Sequence, residues 1–196
     1  MKESATTAFT DSLSFGQDGS LLDQGRAHYA EGQYQEALSC LHLAYDVHTS
    51  QSPSDPPAQD QAAEIANDLG VVYTVLQRWQ EAQKWLDEAQ QRFVDQGNLD
   101  GEAQALGNMG SMHRVRGDLR QAAAYLQLSA DKFHLVGDDE RRAASLRALC
   151  LVRLRQLRPL QAVTAYREVL ACNSRPNVVS RLLQAILSLP SRLGHP

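Results

Sequence analysis

Two sets of similar stretches recur through this 196-residue chain with one shared spacing, and that duplication constrains the fold more than any other feature. LLDQGRAHYAEGQY from Leu21 aligns without gaps with ANDLGVVYTVLQRW from Ala66, LGNMGSMHRVRGDL from Leu106 and LRALCLVRLRQLRP from Leu146. The starts are 45, 40 and 40 residues apart. At a constant offset follow EALSCLHLAYDVH from Glu36, EAQKWLDEAQQRF from Glu81, QAAAYLQLSADKF from Gln121 and QAVTAYREVLACN from Gln161, with the same three steps. Two stretches moving in phase mean that the duplicated unit holds two elements.

Both elements read as helices. Ala37, Leu41 and Ala44 recur as Ala82, Leu86 and Ala89, then as Ala122, Leu126 and Ser129, and in altered form as Ala162, Tyr166 and Val169. Their i, i+4, i+7 spacing lies on one helical face, where small residues let helices approach and larger ones fill the gaps. Gly32 and Gly117 fall in the turn between paired helices, where a residue tolerating positive φ is useful, and Gly97 and Gly137 stand where the second helices end. Pro159 falls at the start of the last second helix, which tolerates its missing N–H. Asp100 and Asp139 are expected to cap the helices that follow Gly97 and Gly137.

On these residues the chain resembles the tetratricopeptide repeat family in its variant of about 40 residues per unit. The second copy matches the family pattern with Leu69, Gly70, Tyr73, Trp79, Ala82, Leu86 and Ala89. The third offers Met109, Gly110, His113, Gly117, Leu119, Ala122 and Leu126, and the first Gly25, His28, Gly32, Tyr34, Ala37, Leu41 and Ala44. The fourth is degenerate, with Cys150 for the glycine and Arg153 for the aromatic. The resemblance covers roughly residues 18–174 and implies an all-α fold, a right-handed superhelix of four helix pairs.

The expected divisions are a tail or short extra helix at 1–17, repeats at 18–48, 62–98, 99–137 and 138–174, and an exposed loop at 49–61 whose prolines interrupt a helix. Residues 175–196 hold an amphipathic segment, Asn177 to Leu189, bracketed by Pro176 and Pro190. It is expected to cap the open end of the solenoid, the alternative being that it docks on a partner or a second copy.

No catalytic or metal chemistry is expected. The P-loop, G-x-G-x-x-G, G-x-S-x-G and H-E-x-x-H patterns are all missing from the sequence. His28 and His113 take the place of a buried aromatic in the resembling family and read as packed rings. His42, His48 and His134 lie on second helices with no clustered Cys or carboxylate at ligand spacing. Asp138, Asp139 and Glu140 suit helix capping better than acid–base work, Trp79 is expected in the core, and Trp85 is less constrained but reads as packed. No cofactor is implied. The odd set Cys40, Cys150 and Cys172 argues against a disulfide framework and, with an N-terminus that is neither basic nor apolar, points to the cytoplasm, with the nucleus left open. No run is apolar enough to enter a bilayer.

The net charge of −4 hides a divided field. Residues 1–140 carry 9 Lys+Arg against 22 Asp+Glu, whereas 141–196 carry 10 Arg and the single acid Glu168. The resemblance implies a protein scaffold or adaptor whose first helices line a groove for an extended or helical segment of a partner. Carried over by repeat position, the lining is Arg26 and Tyr29; Asn67, Asp68, Val71 and Thr74; Asn108, Ser111 and Arg114; and Arg147, Leu151 and Arg155. Amides at its middle suit a peptide backbone, and guanidinium groups at its end suit an acidic or carboxylate-bearing partner. The carboxylate clamp of the family's chaperone-tail binders is not reproduced, since Leu22, Arg26, Asn67 and Val71 occupy its positions. Two other readings compete: nucleic-acid association through the Arg-rich end, weakened by the lack of Lys and aromatic platforms there, and self-association between oppositely charged ends.

Overall fold

The computed structural model describes residues 18–50 and 56–172, and the side chains of 21–50 and 61–172. All regular structure among the described residues is helical: α1 Asp18–Ala30, α2 Tyr34–Ser50, α3 Pro56–Val75, α4 Trp79–Asp95, α5 Leu99–Arg116, α6 Leu119–Val136, α7 Asp139–Arg155 and α8 Pro159–Ala171. These form four helix pairs, as expected. The second helices begin at Tyr34, Trp79, Leu119 and Pro159, which reproduces the 45, 40 and 40 steps of the sequence. The chain divides into two compact units, one through Gln96 with α1–α4 and one from Gly97 with α5–α8.

The turns follow from local chemistry. Gly32 and Gly117 adopt φ of 77° and 97°, as expected, and Gly97 and Gly137, which end second helices, adopt 66° and 76°. The equivalent turn positions in the second and fourth pairs hold Gln77 and Leu157, which take φ of 57° and 58° without being glycine. Pro159 stands at the first residue of α8.

Two expectations about helix starts shift. The caps of α5 and α7 are Asn98 and Asp138, not Asp100 and Asp139: Asn98 accepts the Gly101 N–H at 2.9 Å and Asp138 that of Arg141 at 2.8 Å. The capping residue must precede the helical backbone, and Asp100 and Asp139 already lie inside it. Helix α2 runs to Ser50 and α3 starts at Pro56, so helix enters both ends of the stretch read as loop. Paired prolines fit there because the first turn needs no intrahelical N–H donor. The tail at 1–17 and the segment at 175–196, including its proposed cap, lie outside the described residues.

Packing within each pair rests on one repeated contact. A β-carbon on Gly25, Gly70 or Gly110 would stand 2.8, 2.5 or 2.7 Å from the Cγ of Leu41, Leu86 or Leu126. The first helix thus lays bare backbone against a leucine of the second. Leu41, Leu69, Leu86, Met109, Leu126 and Leu146 are fully buried, each contributing about 1.5–3 kcal/mol. In the second unit Ala122, Ala123, Leu126 and Ala130 of α6 pack with Ala143, Leu146, Leu149 and Val152 of α7 and with Ala165 and Val169 of α8. Trp79 is half-buried rather than in the core, because as the first residue of α4 it leaves part of its ring in solvent.

Candidate protein-binding surface

In the first unit, neighbouring helices α1 and α3 carry the expected lining residues. Arg26 is committed within the chain: Nε donates to Asp68 Oδ2 at 2.6 Å and Nη2 to Glu64 Oε2 at 3.1 Å. Burial pushes the Asp68 carboxyl above the usual carboxylate range, and the Arg26 guanidinium draws it back only in part. Tyr29 and Val71 border a recess of about 60 Å³ closed by Gly25, Leu41, Asp68 and Val72. Thr74 spends its hydroxyl on the Gly70 carbonyl at 2.8 Å. Asn67 corrects the expectation, since at 2% exposure it cannot reach a peptide on an open surface. Its helix is apolar on several faces here, with Ile65, Ala66 and Leu69 also buried, so position in the repeat alone misplaced it.

In the second unit the expected residues lie on α5 and α7. Asn108, Ser111 and Arg114 are half-buried, while Arg147, Leu151 and Arg155 are exposed. Arg155 Nη1 lies 3.5 Å from the Arg114 carbonyl, which ties the ends of the two helices together. At their starts, Arg141 of α7 pairs with Asp100 of α5. Arg147, Leu151 and Arg155 share one face by their spacing of four, and Leu151 is 59% exposed. Neither Arg147 nor Arg155 meets a carboxylate among the described residues. The expected residues are therefore brought together on neighbouring first helices in each unit, with internal ion pairing in the first and available guanidinium groups in the second.

His28, His42 and His113 make contacts within the fold. His113 is buried and stacks on Tyr125, with ring centroids 5.3 Å apart and planes 6° from parallel. His28 Nδ1 lies 2.6 Å from Gln33 Oε1. His42 Nε2 lies 2.8 Å from the Tyr73 hydroxyl, and its ring meets Trp85 edge-on at 5.3 Å. Trp85 also packs on Tyr45 at 4.8 Å, as its packed reading expected. Sequence reasoning missed this aromatic cluster because His42, Tyr45 and Trp85 occupy positions the family pattern leaves free, and only Tyr73 belongs to it. Among the described residues no three His, Cys, Asp or Glu side chains gather as a metal site would require, and no helix is long and apolar enough to cross a membrane.

Residues 61–133 match the family model described as Tetratricopeptide repeat. None of the curated proteins matches the sequence. Among solved structures, the chain is similar to BtubC (BKLC) from P. vanneervenii, with a TM-score of 0.70, 15% identity and coverage of 92% of this chain and 76% of that one. It is also similar to a putative kinesin light chain of nearly identical TPR-like repeats from Podospora anserina, with a TM-score of 0.69, 16% identity and coverage of 89% and 87%. A third likeness is to Pseudomonas aeruginosa PilF, at a TM-score of 0.57, 20% identity and coverage of 87% and 67%. At these identities the likeness is one of fold.

Proposed function

We propose that this chain, whose residues 61–133 are tetratricopeptide repeats, is a non-catalytic scaffold that holds an acidic segment of another protein against its first helices. Tetratricopeptide repeat proteins mediate protein–protein interaction, since stacked helix pairs present broad surfaces to a partner. The observation that carries the acidic preference is the α7 face, where Arg147 and Arg155 flank exposed Leu151 with no carboxylate to neutralise them. Guanidinium forks match carboxylates in geometry, and the leucine between them suits an apolar side chain of the same segment. Arg26, spent on Asp68 and Glu64, contributes little to such a site. The three free cysteines, two half-buried and one buried, fit our placement in the cytoplasm.

The test is affinity capture from the native source with crosslinking, repeated with Arg147→Glu/Arg155→Glu. Crosslinks on α5 and α7 that vanish in the variant, at unchanged helicity, support the reading. A partner crosslinked only to second helices, or a nuclease-sensitive partner that survives moderate salt, overturns it. Oligomers that dissolve as salt rises would place self-association ahead of an external partner.

A further inference from the structure

The second helices α6 and α8 flank the C-terminal half of α7, and a furrow runs between them. Its wider part, about 470 Å³, is lined by Arg120, Ala123 and Ala124 of α6 and by Arg153, Gln156 and Arg158 at the α7–α8 turn. A narrower part of about 260 Å³ shares Arg153 and Arg158 and reaches Glu168. No carboxylate lines the wide part. Arg120 and Arg158 have no side-chain partner among the described residues, and Arg153 meets only Gln156 Oε1 at 3.1 Å. Gln156 is itself anchored by donating to the Leu119 carbonyl at 2.8 Å, which holds it beside Arg153. Glu168 faces Arg142 at 3.5 Å.

The first unit shows what the same place looks like when closed. By repeat register Arg158 corresponds to Arg78, Gln161 to Glu81, Arg153 to Tyr73, Gln127 to His42 and Ala165 to Trp85. There Arg78 Nη2 donates to Glu81 Oε1 at 2.6 Å and its guanidinium lies 4.8 Å over the Tyr73 ring. His42 and Trp85 fill the remaining space. In the second unit every plug has been replaced by a smaller, more polar or cationic residue, and the counter-charge by an amide. The first turn of α8 likewise carries no acidic residue, whereas that of α4 carries Glu81, so the positive helix end is also left uncompensated.

The turn that carries Arg158 also exposes apolar side chains. Leu157 and Leu160, on either side of Arg158 and Pro159, are 88% and 83% exposed. Leu157 is held at φ of 58° in a turn where two other pairs use glycine, so the chain keeps a leucine in solvent at a cost in backbone strain. No aromatic side chain lines the wide part of the furrow to stack a nucleobase.

We propose that the furrow between α6 and α8 is a second binding site, taking an anionic group, carboxylate or phosphoryl, borne by a polypeptide that also sets an apolar side chain on Leu157 and Leu160. The site lies apart from the α5–α7 face and stands whether or not that face binds a partner.

The full chain is titrated, by fluorescence anisotropy, against three labelled peptides rich in leucine and carrying glutamate, phosphoserine or glutamine. At least one anionic peptide is expected to bind about tenfold or more tightly than the glutamine peptide. Gln161→Glu, which recreates the Arg78–Glu81 pairing on Arg158, is expected to weaken it several-fold, and Arg153→Gln/Arg158→Gln about tenfold or more. Leu157→Ser/Leu160→Ser weakens it as well, while Lys84→Gln, at an exposed lysine of the first unit, leaves it unchanged. Preference for glutamate or for phosphoserine assigns the source of the anion. Displacement by oligothymidylate, or unchanged binding in both Gln161→Glu and Arg153→Gln/Arg158→Gln, overturns the proposal.

Discussion

Gly70 and Leu86 pack so closely that a β-carbon on the glycine would stand 2.5 Å from Leu86 Cγ and 3.2 Å from its backbone nitrogen. The same contact joins Gly25 to Leu41 and Gly110 to Leu126, so it is the joint of three helix pairs. In the fourth pair Cys150 replaces the glycine, and Tyr166 stands opposite in place of the leucine; both lie partly buried against the core. A larger residue on the first helix has been accommodated by a change on the second.

Gly70→Ala should therefore destabilise the first unit. Alanine gains about 1 kcal/mol of helix propensity, but forcing the helices apart costs more, typically about 1–3 kcal/mol of overpacking and lost contact on top. Urea unfolding followed by tryptophan fluorescence reads this unit alone, because Trp79 and Trp85 are the only tryptophans. A midpoint equal to or above that of the wild type would show that the contact relaxes freely.

Leu157→Gly should stabilise the second unit. The side chain is almost wholly in solvent, so its removal forfeits little packing, while glycine relieves a left-handed conformation that costs a leucine about 1 kcal/mol. A rise of about 2–4 °C in Tm by circular dichroism is expected. Gly117→Ala, at φ of 97° with open space around it, should show the opposite sign.

Ser129 is fully buried and donates to the Ala103 carbonyl at 2.8 Å, with Ser145 Oγ 3.0 Å away. Ser129→Ala leaves the buried Ser145 hydroxyl without that partner and should cost about 1–3 kcal/mol. Ser129→Ala/Ser145→Ala together should cost less than twice that, since no hydroxyl of the pair then remains unmatched. Additive losses in a double-mutant cycle would refute the coupling.

Burial lowers the pKa of His42, Lys84 and Arg78 lower it further, and Asp46 opposes them. A folded-state pKa below the unfolded value of about 6.5 means that the unfolded chain takes up the proton first. The contribution of His42 is thus complete above that pH and fades as pH falls through it. The first unit should lose Tm between about pH 7.5 and 5.5 by tryptophan fluorescence, and His42→Gln should lose less. An equal loss in both proteins would assign the pH dependence elsewhere.

The paired helices, their 45-40-40 spacing, the left-handed glycines and Pro159 at a helix start were all legible in the sequence. Each depends on residues within about four positions of one another, where helical period and turn geometry leave few choices. Capping was legible only to within a residue or two, because Asn98 and Asp100, or Asp138 and Asp139, offer a similar side-chain acceptor within one turn of backbone. What the repeat register could not decide was the company each side chain keeps. Arg26 finds Asp68 from 42 residues away, Asn67 is buried, and equivalent arginines at 78 and 158 end in opposite states, one paired and stacked, the other open. Helix formation is settled by neighbours along the chain. Exposure and charge compensation are settled by the neighbouring helix, whose contacts exist only once the pairs have stacked.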